Sequence, residues 1–165
     1  MRLYLMRHGE ASWDAASDAE RRLTERGQWL SEQVAKAGLT DQKPQQLIAS
    51  PYRRTQQTSD IVESVVGRCR RISSDLITPE GNARQVVDWL YQYCQQQPEL
   101  KTLLLVSHNP FISELISLLV MGGPRTGDSP LPVMMPSTLV ALSGEVLAAG
   151  CFELDAYYPN PQSQF

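Results

Sequence analysis

Met1-Arg-Leu-Tyr-Leu-Met-Arg-His-Gly9 is a short, nearly continuous apolar run that ends in a guanidinium, an imidazole and a glycine. Leu3 to Met6 have the pattern of a strand covered on both faces, as in an α/β sheet, and Gly9 stops it. Open α/β sheets bind ligands just beyond the carboxyl ends of their strands, so Arg7 and His8 stand where such a fold places its site. Alone, these two residues would equally suit a solvated strand end.

The same device recurs twice. Gln46-Leu-Ile-Ala49 reads as a second strand, and Ser50-Pro51-Tyr52-Arg53-Arg54-Thr55-Gln56-Gln57-Thr58 follows it directly. Ser50 is a suitable N-cap and Pro51 a suitable first helical residue, so a helix is expected to begin at the strand's end. Its N-terminal turn, with free N–H groups and the positive end of the helix dipole, favours an anion. Arg53 and Arg54 are about 100° apart around that helix, so only one of them can aim fully at a site above the strands. Thr102-Leu-Leu-Leu-Val106 reads most clearly of all as a buried strand and leads into Ser107-His108-Asn109-Pro110. There Asn109 is expected to cap, and Pro110 to open, a helix running through Ile112, Leu115, Ile116, Leu119 and Val120 to Gly122. The chain has 2 histidines, and both lie at such strand ends.

Between these junctions the small, acidic stretch Glu10 to Glu20 reads as a loop with a helical turn, covering part of the site. Thr24 is the expected N-cap of a helix with Leu30, Val34 and Ala37 on one face and Gly38 at its end. Ile61, Val62, Val65 and Val66 continue the apolar face of the helix that follows Ser50, with Gly67 as its cap. Arg70 to Ile77 holds a short edge strand, and Ala83 to Gln96 carries Val86, Val87, Leu90, Tyr91 and Cys94 at helical spacing. Gly123 to Pro136 is a loop. Ser137 to Leu142 and Val146 to Leu154 suggest a hairpin closing the sheet with antiparallel strands, and the tail after Tyr158 is expected to fray.

At 165 residues, 42% hydrophobic and 20% charged, the chain suits one domain spanning 1–165 with a real core. A net charge of −3 gives no chain-wide basic surface, which argues against nucleic acid as the main partner. Cys69, Cys94 and Cys151 lack metal-ligand spacing and fit free thiols of a cytoplasmic protein. No apolar run approaches the roughly 20 residues of a membrane span, and no secretory leader pattern opens the chain.

Arg7, an arginine of the second junction and a protonated His108 would together present a cluster of positive charge. Such a cluster suits a phosphoryl group whose equatorial oxygens carry spread charge during transfer. His8 would be the nucleophile, its ring kept neutral by the adjacent guanidinium groups and its tautomer fixed by a backbone oxygen. With arginines supplying the charge, no metal or other cofactor is expected, and no HExxH, carboxylate cluster or Walker loop is present.

Arg7-His8-Gly9, Ser50-Pro51-x-x-Arg54-Thr55-x-Gln57-Thr58 and Ser107-His108-Asn109-Pro110, in that order, resemble the histidine phosphatase superfamily, the phosphoglycerate-mutase-like group. Length, Asp14-Ala-Ala-Ser-Asp18 and Thr78-Pro79-x-Gly81 bring the chain nearest to the short bacterial phosphohistidine phosphatases of that group. The resemblance implies a three-layer α/β/α fold with a mixed, mostly parallel sheet. It implies His8 as the phosphorylated residue, and Arg7, Arg54 and His108 as the pocket for a phosphate or other tetrahedral anion. It also implies a phosphohistidine-bearing signalling protein as substrate and partner, without nucleic acid or membrane, a monomer being sufficient. The acid of larger relatives has no secure counterpart, and Asp18, Asp75 and Glu80 are the candidates. Two rival readings share the pocket: a small-molecule phosphomonoesterase or mutase, and a non-catalytic phosphate-binding module.

Overall fold

A computed structural model describes residues 1–164, with side chains through residue 162. In chain order the strands are β1 (Arg2–Arg7), β2 (Gln46–Ala49), β3 (Arg70–Ser73), β4 (Thr102–Ser107), β5 (Leu139–Ser143) and β6 (Glu153–Tyr158). The helices are α1 (Glu25–Leu39), α2 (Arg53–Val66), α3 (Ala83–Gln95) and α4 (Phe111–Met121). All six strands form one sheet in the order β3-β2-β4-β1-β5-β6, parallel from β3 to β1 and antiparallel across β5 and β6.

Alternation along the central strands builds two cores. Leu3, Leu5, Leu103 and Leu105 point to the face covered by α3 and α4, where they meet Val86, Leu90, Phe111 and Leu115. Tyr4, Met6, Leu104 and Val106 point to the other face, against Val34 and Leu39 of α1 and Val62 and Val66 of α2. The result is a three-layer α/β/α arrangement. Both faces of β1 and β4 are covered, which is why their sequences are apolar without interruption.

The chain leaves β1 through α1 toward β2 and leaves β4 through α4 toward β5, so connections from two neighbouring strands run in opposite directions over opposite faces of the sheet. Such a switch point opens a crevice at the strands' carboxyl ends. Register aligns Arg7 with Ser107, and Ala49 with Val106. His8, His108 and Ser50 therefore emerge side by side from three adjacent strands.

Several local expectations are corrected by the structure: α1 runs through Gly38 to Leu39, with Ala35 buried and Ala37 exposed. Helix α2 begins at Arg53 with Tyr52 in the cap position, two residues after the expected Pro51 start, and the Ser50 hydroxyl lies 2.8 Å from His108 Nε2. Helix α4 likewise begins at Phe111, with Pro110 in the cap position. Asn109 instead accepts the Ser113 hydroxyl and donates to the Met134 carbonyl. The last strand starts at Glu153 rather than near Val146, because the preceding segment packs on the end of α4. There Gly150 N–H and Phe152 N–H are donated to the carbonyls of Leu118 and Leu119. The tail is anchored where fraying was expected: Asn160 is buried, with its amide donated to the Pro136 carbonyl, and a short helical turn follows over Pro161–Gln164. Among the described residues no helix is long and apolar enough to cross a membrane, and all three cysteines are free thiols.

Candidate functional site

His8 is buried at the end of β1 and held at both nitrogens. Its Nδ1 lies 2.7 Å from the Gly9 carbonyl, which can only accept, so Nδ1 carries the proton. Nε2 is then bare and accepts from Arg54 Nε at 3.1 Å. Burial first, and then the charges of Arg54, Arg7 and Arg21, lower the ring's pKa to about 3 against the opposing Gly9 bond. The nucleophile-type nitrogen is therefore unprotonated at neutral pH, and the tautomer expected from sequence is the one the backbone sets.

The backbone around His8 is fixed from several directions. His8 N–H is donated to the Ser107 carbonyl at 3.0 Å, and Gly9 N–H to Thr58 Oγ1 of α2 at 3.1 Å. The His8 carbonyl accepts from Ser137 N–H at 3.1 Å. Ser137 adopts φ of 62°, which costs a non-glycine residue about 1–2 kcal/mol. Its hydroxyl also bonds Ser31 of α1 at 2.9 Å, so contacts on both sides over-determine the conformation.

Arg54, the second residue of α2, is 3% exposed. Besides reaching His8, it donates from Nη1 to the Asp18 carbonyl at 2.5 Å and from Nη2 to Asp18 Oδ2 at 2.9 Å. Arg53 is exposed, so α2 directs only one of the adjacent arginines inward. Arg7 donates to the Met134 carbonyl at 2.8 Å, while its Nε is buried with no hydrogen-bond partner. Burial and the nearby Arg54 charge lower its pKa.

His108 lies edge-on to His8 with ring centroids 5.0 Å apart, and edge-on to Tyr52 at 4.9 Å. Its Nε2 is 2.8 Å from Ser50 Oγ, whereas Nδ1 is buried and unpartnered. Protonation of this ring, expected from sequence, is not what the pocket favours. Burial, then the charges of His8 and Arg54, push its pKa down to about 2. Arg7, His8, Arg54 and His108 are thus gathered around one crevice.

Of the three candidate acids, only Asp18 enters this site. Asp75 and Glu80 are exposed and make no side-chain hydrogen bond or ion pair among the described residues. Partial burial raises the Asp18 pKa, but hydrogen bonds from Arg21 and Arg54 outweigh it and leave the pKa lowered. In this arrangement Asp18 is an ionised partner of Arg54 and not a proton donor. The acidic loop does cover the site, and Arg21 organises it in a way the sequence did not disclose. Arg21 donates to the carbonyls of Ser12 and Ala11 and to Asp18 Oδ1, and its guanidinium lies 3.5 Å over the Trp13 ring. The contacts that Ser50, Thr58 and the Met134 carbonyl make in the site were not readable from sequence, since each joins residues distant in the chain. Among the described residues no group of three or more His, Cys, Asp or Glu side chains is placed to hold a metal ion.

Comparison with known proteins places this geometry in a family. A model of the histidine phosphatase superfamily (branch 1) matches residues 3–78. The chain is 32% identical over 128 residues to the phosphohistidine phosphatase SixA homolog of Haemophilus influenzae, covering 71% of this chain and 76% of that protein. It is 32% identical over 129 residues to phosphohistidine phosphatase SixA of Escherichia coli, covering 74% and 76%. The solved structure of the protein histidine phosphatase SixA complexed with tungstate superposes with a TM-score of 0.83 over all of both chains, at 24% identity. The family model and the relatives at 32% identity lead to one conclusion: the chain belongs to the histidine phosphatase superfamily.

Proposed function

We propose that this protein is a phosphohistidine phosphatase that removes the phosphoryl group from a phosphorylated histidine of a signalling protein, through a phosphohistidine intermediate on His8. The observation that carries the reading is the state of His8: neutral, with Nδ1–H tied to the Gly9 carbonyl and the Nε2 lone pair facing Arg54. Arg7, Arg54 and His108 hold the phosphoryl oxygens. In the first step Nε2 of His8 bonds to phosphorus as the bond to the substrate imidazole breaks, and the departing nitrogen leaves with a proton taken from solvent water. In the second, water attacks phosphorus, the bond to Nε2 breaks, and inorganic phosphate leaves. Guanidinium groups supply the positive charge, so no metal takes part.

The substrate class follows from the leaving group. A sugar or serine ester must expel an alkoxide, for which a positioned acid contributes about 10²–10⁴-fold. A phosphorylated imidazole leaves easily once protonated, its free pKa being about 6.5. A crevice whose nearest carboxylate, Asp18, is ionised and paired with arginine suits the second case. Between β3 and β4 the chain builds one helix, α3, and no inserted lid, which leaves room for a phosphate carried on a protein. The names of the relatives at 32% identity agree with this reading.

The test is turnover of a phosphohistidine protein, a sugar phosphate and phosphoglycerate by wild type and His8→Ala, with quenched reactions examined for an acid-labile phosphoryl group. Preference for the phosphohistidine protein, label on His8 and loss of both in His8→Ala are expected. Near wild-type turnover by His8→Ala, or preference for the sugar phosphate, would overturn the proposal.

A further inference from the structure

Ser50 closes β2 with nothing of it exposed. Its N–H is donated to the Val106 carbonyl at 3.1 Å, and its own carbonyl accepts Thr55 Oγ1 at 2.8 Å and Gln56 Nε2 at 2.7 Å. With the backbone pinned, the hydroxyl is the one part of the residue free to choose its role, and it lies 2.8 Å from Nε2 of His108. The other ring nitrogen, Nδ1, is buried without a partner, although the residue is only 1% exposed and sits beside His8.

We infer that Ser50 is a positioning residue that sets the tautomer of His108, donating its hydroxyl hydrogen to Nε2 so that Nδ1–H is offered to a phosphoryl oxygen. The direction of the bond follows from the surroundings of Oγ. Tyr52 N–H reaches Oγ at 3.4 Å, and among the described residues the hydroxyl hydrogen has no acceptor other than His108 Nε2. Because the site holds His108 neutral, what the ring offers a ligand depends on which nitrogen bears the proton. A buried N–H without an acceptor is unfavourable, and an anion's oxygen relieves it, so the cost of the empty arrangement becomes affinity for phosphate. This inference rests on the proposed phosphate-binding role of His108, though the tautomer is measurable without any substrate.

With only 2 histidines in the chain, ¹⁵N-histidine labelling yields four ring nitrogens, and long-range ¹H–¹⁵N spectra at neutral pH report which are protonated. In the wild type both rings are expected as Nδ1–H, His8 through Gly9 and His108 through Ser50. Ser50→Ala should move His108 toward Nε2–H and leave His8 unchanged. It should also weaken inorganic phosphate or tungstate binding about tenfold, the effect of one hydrogen bond to a charged group. Ser50→Thr, which keeps the hydroxyl, should restore the tautomer. A wild-type His108 protonated at Nε2 with and without phosphate, or a Ser50→Ala variant with unaltered His108 nitrogens and unaltered phosphate affinity, would overturn the inference. The expected tautomers in an enzyme inert toward phosphohistidine would instead count against the proposed function alone.

Discussion

Arg54 directs one nitrogen at the His8 ring and two at Asp18, a division that depends on the planar fork of a guanidinium. Under the proposed mechanism a phosphoryl group reaching His8 would meet Asp18 at that fork, and the carboxylate would compete with it for Arg54. A lysine at 54 would supply the charge at a single point and leave either His8 or the anion unattended. Arg54→Lys is therefore expected to lower turnover on the order of a hundredfold, as loss of a preorganised donor does. Arg53→Lys, on the exposed side of the same turn, should change it by no more than about twofold. Comparable losses in two folded variants would mean that Arg54 does not hold the substrate.

At the scale of elements, the site is kept in place by close approach between α1 and the chain just after His8. A Cβ on Gly9 would come within 2.6 Å of Ser31 Oγ and 2.7 Å of the Gly27 carbonyl, and one on Gly27 would overlap the Glu10 carbonyl. Gly27→Ala sets two effects against each other. Helix propensity gains about 1 kcal/mol. Forcing apart two backbones costs typically 1–3 kcal/mol and displaces residues 9 and 10. The variant is expected to melt lower than wild type and to lose turnover; a gain in thermal stability would show the contact to be looser than the distances indicate. The glycine reads in sequence as an unremarkable early helix residue, because its neighbour lies in another element. The same division runs through the whole comparison. Strand ends marked by Gly9, Ser50 and Ser107 were legible, since apolar runs and their terminators are local signals, and the helices of both layers followed from their periodicity. The start of α2, the late onset of β6 and the anchoring of Asn160 were not, because each is decided by a tertiary contact that overrides the local signal. Arg7 and the Arg53–Arg54 pair stood out as charges beside strand ends, with only the resemblance choosing Arg54, whereas the Arg21 clamp on Asp18 depends on how a loop folds back.

Over the whole molecule, the strand that bears His8 is the third from one edge of the sheet, and its neighbours come from far along the chain. Arg2 pairs with Thr102 on one side and with Ser143 on the other. The groups around His8 come from the loop at Asp18, from α2, from the end of β4 and from the loop at Met134. Folds dominated by such distant pairings close slowly, because loop entropy is lost before the contacts repay it, and mixed α/β domains fall between the microsecond helical bundles and the slower β-sandwiches. On dilution from denaturant, helical signal is accordingly expected to return ahead of tungstate binding and turnover; simultaneous recovery of all three would argue for a site that forms with the first helices. The order of synthesis carries the same consequence. In a growing chain His8 is made well before Thr102–Ser107, and its imidazole stays an ordinary exposed histidine until β4 has slid in beside it.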